Sequence, residues 1–247
     1  MSEKPIALIT GGAQGIGYAC GEALAEDGYK VILSDVKDSV HEAAATLGGD
    51  GLICDMGNVD AINTMFDRIE AGHGPVSALV NNAGIAMPGD FLTYDLAAFE
   101  RVVDVNLRGV FLASQRAANT MVASGIEGAI VNMSSINAVV AIPAIPAYCA
   151  TKGAVMQLTK AASLALARHS IRVNAVGPGS IDTEMMAGVN ANPEALRMAM
   201  SRTPLGRSGT AREIGDVVAF LCSKKASYIT GETIYVDGGR LGLNYTC

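Results

Sequence analysis

The residues best suited to proton chemistry are a tyrosine and a lysine at helical spacing. Tyr148 and Lys152 lie four positions apart, so a helix would place both side chains on one face. Ser135 comes thirteen residues before Tyr148, at the end of a strand candidate. A phenol is a weak base at neutral pH, but a neighbouring ammonium favours its ionised form. The set could therefore serve as an acid and base.

A second group of residues is suited to a phosphate-bearing ligand. Gly11, Gly15 and Gly17 directly follow the first strand candidate and open a helical pattern. Glycines allow a tight turn and a close approach of the backbone, and a helix N-terminus offers unpaired N–H groups to a pyrophosphate. A turn that merely joins a strand to a helix is the alternative. The position after the first strand favours a dinucleotide site.

Asp35 closes the second strand candidate and indicates which dinucleotide binds. A carboxylate there can accept hydrogen bonds from both hydroxyls of the adenosine ribose and would repel a 2′-phosphate. Neither Gln14 nor Val36 supplies an arginine for that phosphate, although Lys37 is a nearby cation. We therefore expect NAD rather than NADP as the cofactor.

Short apolar segments alternate with helical patterns from one end of the chain to the other. The strand candidates are residues 7–10, 30–35, 51–55, 78–81, 129–134, 172–176 and 233–236. They are apolar on both faces, which is typical of strands buried between helix layers. We expect an α/β fold: one domain over residues 1–247, doubly wound like a Rossmann fold, with about seven parallel strands and helices on both faces.

Residues 182–210 interrupt this alternation. They follow the carboxyl end of a strand, where open parallel sheets bind ligands, and they contain four methionines. An adaptable lid over a pocket and a helical pair packed on the core are both consistent with this composition. We expect a substrate-loop insertion in this range.

The composition excludes several classes of protein. Half of the 247 residues are hydrophobic and 17% are charged, which excludes an intrinsically disordered chain. The net charge of −6 argues against a nucleic-acid partner, and no apolar stretch is long enough to span a membrane. The five cysteines and three histidines lack the spacing of a disulfide framework or a metal site. With no signal-peptide pattern at the N-terminus, we expect a cytoplasmic protein without a metal.

Together these motifs resemble the short-chain dehydrogenase/reductase family over essentially the entire chain. The matching segments are residues 10–17, Asp55, 81–84 (NNAG), 105–107 (VNL), 134–135, Tyr148-x-x-x-Lys152, 174–175 with 178–179, 228–231 and 237–239. This combination is typical of the family and indicates no particular substrate.

The resemblance implies a role for each residue of the catalytic set. Tyr148 would be the acid/base, and Ser135 would orient the carbonyl or hydroxyl of the substrate. Lys152 would hold the nicotinamide ribose, and Asn106 would organise a proton-relay water. With the residues derived above, the expected cofactor-binding set is Gly11, Gln14, Gly15, Ile16, Gly17, Asp35, Asp55, Met56, Asn82, Ala83, Gly84, Tyr148, Lys152, Pro178, Gly179, Ile181 and Thr183.

The substrate side of the site has fewer candidates. Ser135 and Tyr148 would contact the reacting oxygen, and Asn137 is the one polar residue in an otherwise apolar segment between them. Met185 lies in the expected substrate loop. Arg240 could bind a substrate carboxylate. The alternative is that the C-terminal segment containing Arg240 only packs on the protein.

We expect an NAD-dependent oxidoreductase that interconverts a secondary alcohol and a ketone on a polyol, a sugar or sugar acid, or a hydroxy ketone. A 3-oxoacyl-thioester reductase is the alternative enzyme, although reductive biosynthesis usually uses NADPH. A catalytically idle sensor that binds a dinucleotide is the third hypothesis, and the intact acid/base set argues against it. The resemblance also implies a homotetramer or homodimer, paired through helices near residues 106–124 and 148–169.

Overall fold

A parallel sheet of seven strands forms the centre of the computed structural model, which describes residues 4–186 and 191–243. The strands are β1 (Ile6–Thr10), β2 (Lys30–Asp35), β3 (Asp50–Ile53), β4 (Val76–Asn81), β5 (Ala129–Met133), β6 (Arg172–Pro178) and β7 (Thr233–Val236). Their order across the sheet is β3-β2-β1-β4-β5-β6-β7. Because the winding direction reverses between β1 and β4, a crevice opens at the carboxyl ends of these two strands.

Helices cover both faces of the sheet. They are α1 (Gly15–Glu26), α2 (Val40–Thr46), α3 (Val59–Gly72), α4 (Leu96–Val103), α5 (Gly109–Ala123), α6 (Pro146–Leu166), α7 (Pro193–Met200) and α8 (Ala211–Cys222). Successive residues of a strand point to opposite faces, so Ile9 packs in the core cluster of α1 and α8, whereas Leu8 packs in that of α3 and α5. The prediction of a doubly wound α/β fold is confirmed.

The strand ends differ from the sequence prediction by up to two residues. β3 ends at Ile53 rather than at residue 55, because Asp55 accepts a hydrogen bond from the Gly57 N–H at 2.8 Å and closes a turn. β5 ends at Met133 rather than at the predicted residue 134. β6 continues to Pro178 because its last residues pair with β7, and β4 begins at Val76 rather than at residue 78.

The segment 182–210 begins and ends beside the carboxyl end of β6. An isolated bridge joins Ile181 to Gly209, and the Gly209 N–H donates to the Ser180 carbonyl at 2.9 Å. Between these ends the segment holds a 3₁₀ turn (Glu184–Met186) and α7, while residues 187–190 lie outside the described residues. The structure thus shows one helix in the described part of this segment.

Among residues 4–186 and 191–243, no helix combines the length and the apolar character that crossing a bilayer requires.

Candidate active site

Tyr148 and Lys152 lie in the first two turns of α6. Pro146 stands at the start of this helix, where its missing N–H costs no hydrogen bond. The Lys152 ammonium lies 5.4 Å from the centroid of the Tyr148 ring and donates to the Met133 carbonyl at 2.6 Å. Lys152 is only 4% exposed, and this burial lowers the pKa of its ammonium to about 8.

Ser135 joins the pair from the end of β5. Its backbone is extended, its hydroxyl accepts from the Asn137 N–H at 3.1 Å, and it is hydrogen-bonded to the Tyr148 phenol. Burial raises the pKa of Tyr148, and the hydrogen bond with Ser135 offsets part of that rise. The structure therefore brings the expected phenol, hydroxyl and ammonium to one place.

Asn106 lies in a π-helical turn (Asp104–Arg108) that joins α4 to α5. Its side-chain oxygen accepts from the Ile85 N–H at 2.8 Å, and its amide donates to the Ile85 carbonyl at 2.8 Å. The same amide lies 3.3 Å from the Thr151 hydroxyl on α6. The wider turn thus directs one carboxamide toward both the loop after β4 and the helix that carries Tyr148.

Two glycines at the start of α1 are required by geometry. Gly11 has φ +66°, a left-handed conformation that favours glycine, and a Cβ there would lie 2.9 Å from the Ala83 Cα. A Cβ on Gly17 would lie 2.0 Å from the Gly11 carbonyl oxygen. No side chain caps the N-terminus of α1, so a ligand can accept hydrogen bonds from its first N–H groups.

A groove of about 580 Å³ runs along this end of the sheet. Of the expected cofactor residues, those lining it are Gly11, Gln14, Gly15, Ile16, Asp35, Asp55, Met56, Asn82, Ala83, Gly84 and Thr183. Near its inner end, a Cβ on Gly84 would lie 3.4 Å from the Asn106 side-chain oxygen and 3.5 Å from the Lys152 nitrogen. The size, the uncapped helix and the glycine turn fit a dinucleotide.

Six expected cofactor residues lie outside the lining of this groove, namely Gly17, Tyr148, Lys152, Pro178, Gly179 and Ile181. Pro178 ends β6, Gly179 packs against Asp237, and Ile181 is buried beside the bridge to Gly209. Gly17 likewise faces the Gly11 carbonyl rather than the groove.

The ends of β1 and β4 are joined by side-chain hydrogen bonds. The Thr10 hydroxyl accepts from the N–H groups of Asn82 and Ala83, each at 3.1 Å. The Asn82 amide donates to the carbonyls of Thr10 and Gly11, each at 3.0 Å. This role of Thr10 was not predicted from the sequence, although a hydroxyl that closes a buried strand is a recognisable pattern.

Asp35 stands at the outer end of the groove. Its carboxylate accepts from the N–H groups of Ala13 at 3.1 Å and Lys37 at 3.0 Å. The Lys37 ammonium donates to the Gln14 side chain at 3.0 Å and to Glu184 at 2.9 Å, and the Gln14 amide also contacts Glu184. Hydrogen bonding and charge from Lys37 lower the pKa of Glu184.

Asp55 has a partner that sequence analysis missed. One guanidinium nitrogen of Arg101 on α4 lies 2.9 Å and 3.0 Å from the two carboxylate oxygens. Burial raises the pKa of Asp55, but hydrogen bonds from Arg101 and Gly57 outweigh it, so the pKa is lowered overall. No local pattern pairs residues 55 and 101, since they belong to different layers.

The structure places two of the remaining expected substrate residues, Asn137 and Arg240, in separate turns. Asn137 lies in a 3₁₀ turn (Ile136–Ala138) beside Ser135. The Arg240 guanidinium donates to the Ser180 hydroxyl at 2.9 Å. The Met185 side chain lies outside what the structure describes. Within the described residues, no three His, Cys, Asp or Glu side chains are grouped as metal ligands.

Comparison with known proteins agrees with this geometry. A family model described as enoyl-(acyl carrier protein) reductase matches residues 11–240. A solved short-chain type dehydrogenase/reductase from Mycobacterium marinum superimposes with a TM-score of 0.90 and 36% identity, over 96% of each chain. The chain belongs to the short-chain dehydrogenase/reductase family.

Other relatives in the family are named as dehydrogenases of small hydroxy compounds. The cis-4-hydroxycyclohexanecarboxylate dehydrogenase of Sinomonas cyclohexanicum is 39% identical over 95% of each chain. A gluconate 5-dehydrogenase from Burkholderia cenocepacia J2315, solved in complex with NADP and tartrate, shares 32% identity and a TM-score of 0.93 over 98% of this chain and 97% of that one.

Proposed function

We propose that the chain is an NAD-dependent oxidoreductase that interconverts a secondary alcohol and a ketone on a small hydroxy compound. The Tyr148–Ser135–Lys152 arrangement at the inner end of a dinucleotide-sized groove carries this proposal. Family membership and the dehydrogenase relatives support the reaction class. The names of these relatives favour a polyol, a sugar acid or another hydroxy acid as the substrate.

The residues divide the proton chemistry among them. In the oxidative direction, the Tyr148 phenolate accepts the proton of the substrate hydroxyl, while Ser135 holds the same oxygen by a hydrogen bond. A nicotinamide cofactor supplies the hydride acceptor when bound and, in its oxidised form, a positive charge. The Lys152 ammonium lies 5.4 Å from the centroid of the Tyr148 ring, where its charge favours the phenolate. Burial raises the pKa of Tyr148, and the hydrogen bond with Ser135 offsets part of that rise. Asn106 holds the loop at Ile85 that closes this end of the groove.

Asp35 supports NAD as the preferred cofactor. Its carboxylate stands at the groove's outer end, where it can accept from the ribose hydroxyls and repel a 2′-phosphate. Lys37 is the cation that could attract that phosphate, but its ammonium is engaged by Glu184 and Gln14. The related gluconate 5-dehydrogenase was solved with NADP, so the proposed NAD preference would distinguish this chain from that relative.

A 3-oxoacyl-thioester reductase is the second candidate. The matching family model carries an acyl-carrier-protein description, which favours it. This candidate predicts NADPH preference and turnover of 3-oxoacyl thioesters, whereas the primary proposal predicts NAD preference and turnover of small hydroxy compounds.

The test of the proposed reaction is the Tyr148→Phe variant. We expect turnover of secondary alcohols with NAD to fall by about a thousandfold or more, because the proton acceptor is removed. NADH binding, followed by cofactor fluorescence, should change little. The matched control is Tyr228→Phe, since Tyr228 is fully exposed. Turnover that is unchanged in Tyr148→Phe, across a panel of polyols, sugars, hydroxy acids and hydroxyacyl thioesters, would contradict the proposal.

A further inference from the structure

Arg240 is held at the carboxyl end of β7 by a turn of fixed shape. Gly238 and Gly239 both have positive φ angles, and the Asp237 carboxylate accepts from the N–H groups of Gly239 at 2.9 Å and Leu241 at 2.7 Å. The Arg240 guanidinium then reaches the hydroxyl of Ser180, a buried residue just beyond the end of β6. The guanidinium is therefore directed toward the ligand-binding edge of the sheet.

Arg202 is brought to the same place by the end of the 182–210 segment. The Leu205 N–H donates to the Gly238 carbonyl at 3.2 Å, and a Cβ on Gly239 would lie 3.1 Å from Pro204. Residues 203–205 thus pack on the turn that carries Arg240. Burial lowers the pKa of Arg240, the Arg202 charge lowers it further, and Asp237 opposes this in part.

These two cations differ from most other arginines in their partners. Five arginines of the described residues pair with a carboxylate within 4.0 Å, namely Arg101, Arg108, Arg116, Arg207 and Arg212. In the same described part of the chain, neither Arg202 nor Arg240 has such an ion pair. Two like charges, one of them half-buried, are unfavourable together, and the Asp237 carboxylate offsets this only in part.

The position of this pair relates it to the reacting centre. The Ser134 N–H donates to the Val176 carbonyl at 2.8 Å, so the ends of β5 and β6 are adjacent, and β7 follows β6 in the sheet. Ser135, Ser180 and Arg240 therefore stand beyond the ends of three consecutive strands. Two strand spacings amount to about 10 Å, which a substrate of several carbons plus an arginine side chain can bridge.

We infer that Arg240 and Arg202 form a subsite for a carboxylate at the end of the substrate remote from its reacting hydroxyl. A guanidinium matches the two oxygens of a carboxylate, and the Ser180 hydroxyl adds a further donor. The substrate class is then a hydroxy acid whose hydroxyl and carboxylate are separated by several bonds. This inference rests on the proposed function, because it places the carboxylate on the substrate of the same site.

The test measures binding rather than turnover. Cyclohexanecarboxylate and cyclohexanecarboxamide, which have nearly the same shape and differ in charge, are titrated calorimetrically into the NADH-bound enzyme in chloride-free buffer. We expect the carboxylate to bind at least about tenfold more tightly than the carboxamide. This preference should vanish in Arg240→Gln and weaken in Arg202→Gln and Arg240→Lys. Arg168→Gln, at an exposed site in the 3₁₀ turn (Ala167–His169) that follows α6, should retain it.

Equal affinity for the two compounds in the unaltered enzyme, including no binding of either, would overturn the subsite. An undiminished preference in Arg240→Gln would do the same. NADH affinity reports whether each variant is folded. A protein that prefers the carboxylate but transfers no hydride would support the subsite and contradict the proposed function. An enzyme that oxidises alcohols without preferring the carboxylate would support the proposed function and contradict the subsite.

Discussion

Lys152 is a residue of the site whose buried ammonium destabilises the folded state. Its ammonium is buried next to an aromatic ring and a backbone carbonyl, and no carboxylate is among its described partners. Removing a charge from water in this way is unfavourable, and the lowered pKa is the measure of that cost. The same burial keeps the cation beside the Tyr148 phenol, where the proposed function requires it.

We predict that Lys152→Met stabilises the protein at neutral pH. The folded state lowers the pKa of Lys152 from 10.5 to about 8, so below pH 8 the charge is present in both states and the folded state bears the full cost. The cost declines between about pH 8 and pH 10.5, because only the unfolded state then binds the proton. We expect a gain of about 1–3 kcal/mol at pH 7 that shrinks toward pH 10, measured by urea unfolding.

The control for this measurement is Lys160→Met, an exposed lysine on the same helix. It should leave the free energy of unfolding nearly unchanged at both pH values. A Lys152→Met variant that is less stable at pH 7, with no pH-dependent difference from the unaltered protein, would show that the buried ammonium carries no such cost.

At the scale of elements, the site depends on loops and turns from separate parts of the chain. The ends of β1 and β4 are joined through Thr10 and Asn82, and the π-helical turn between α4 and α5 holds the loop at Ile85 through Asn106. The turn after β6 reaches across the groove, where Glu184 meets Lys37 from the loop after β2. This last contact joins the two sides of the groove.

We predict that Glu184→Gln shifts cofactor preference toward NADP. Without the carboxylate, the Lys37 ammonium is free to attract a 2′-phosphate, although Asp35 still repels it. The Lys37–Glu184 pair is exposed, so the effect should be modest, about three- to fivefold in the ratio of kcat/KM for NADP to that for NAD. Lys37→Met should move the ratio in the opposite direction.

Steady-state kinetics with both cofactors checks this expectation. Glu194→Gln is the matched control, because it removes an exposed carboxylate from α7 away from Lys37. If Glu184→Gln and Glu194→Gln leave the ratio equally unaffected, the Lys37–Glu184 contact has no part in cofactor choice.

At the scale of the whole molecule, α5 and α6 are among the described helices that expose apolar side chains on their outer faces. Phe111 on α5 and Leu164 on α6 are exposed, the latter by 81%, while the inner faces of both helices pack on the protein. Exposed apolar surface of this kind is typical of an interface. It lies on the helices through which the family resemblance implies subunit pairing.

We predict a homotetramer that Leu164→Glu dissociates into smaller species. A charge at this position would be buried against a second copy, which is unfavourable without a partner. Light scattering coupled to size-exclusion chromatography measures the mass directly. The control is Ile53→Glu, an exposed apolar residue on the edge strand β3. A monomeric unaltered protein would contradict the prediction, as would a tetramer that persists in Leu164→Glu.

The sequence by itself determined the fold class and predicted the members of the catalytic set. Strand and helix periodicity, the glycine turn after β1, and the Tyr148–Lys152 spacing are all local patterns, and local patterns act within one element or one turn. The alternation of strands and helices then allows few topologies, so the parallel sheet followed from the same information.

Only the tertiary structure decided which side chains from distant elements meet. Arg101 with Asp55, Lys37 with Glu184, and Leu205 with the Gly238 carbonyl join residues from different loops and layers. Such contacts depend on how helices pack on the sheet, and no spacing along the chain encodes that packing. The same holds for the π-helical turn at Asn106 and for the buried state of Lys152, because burial is a property of the assembled layers.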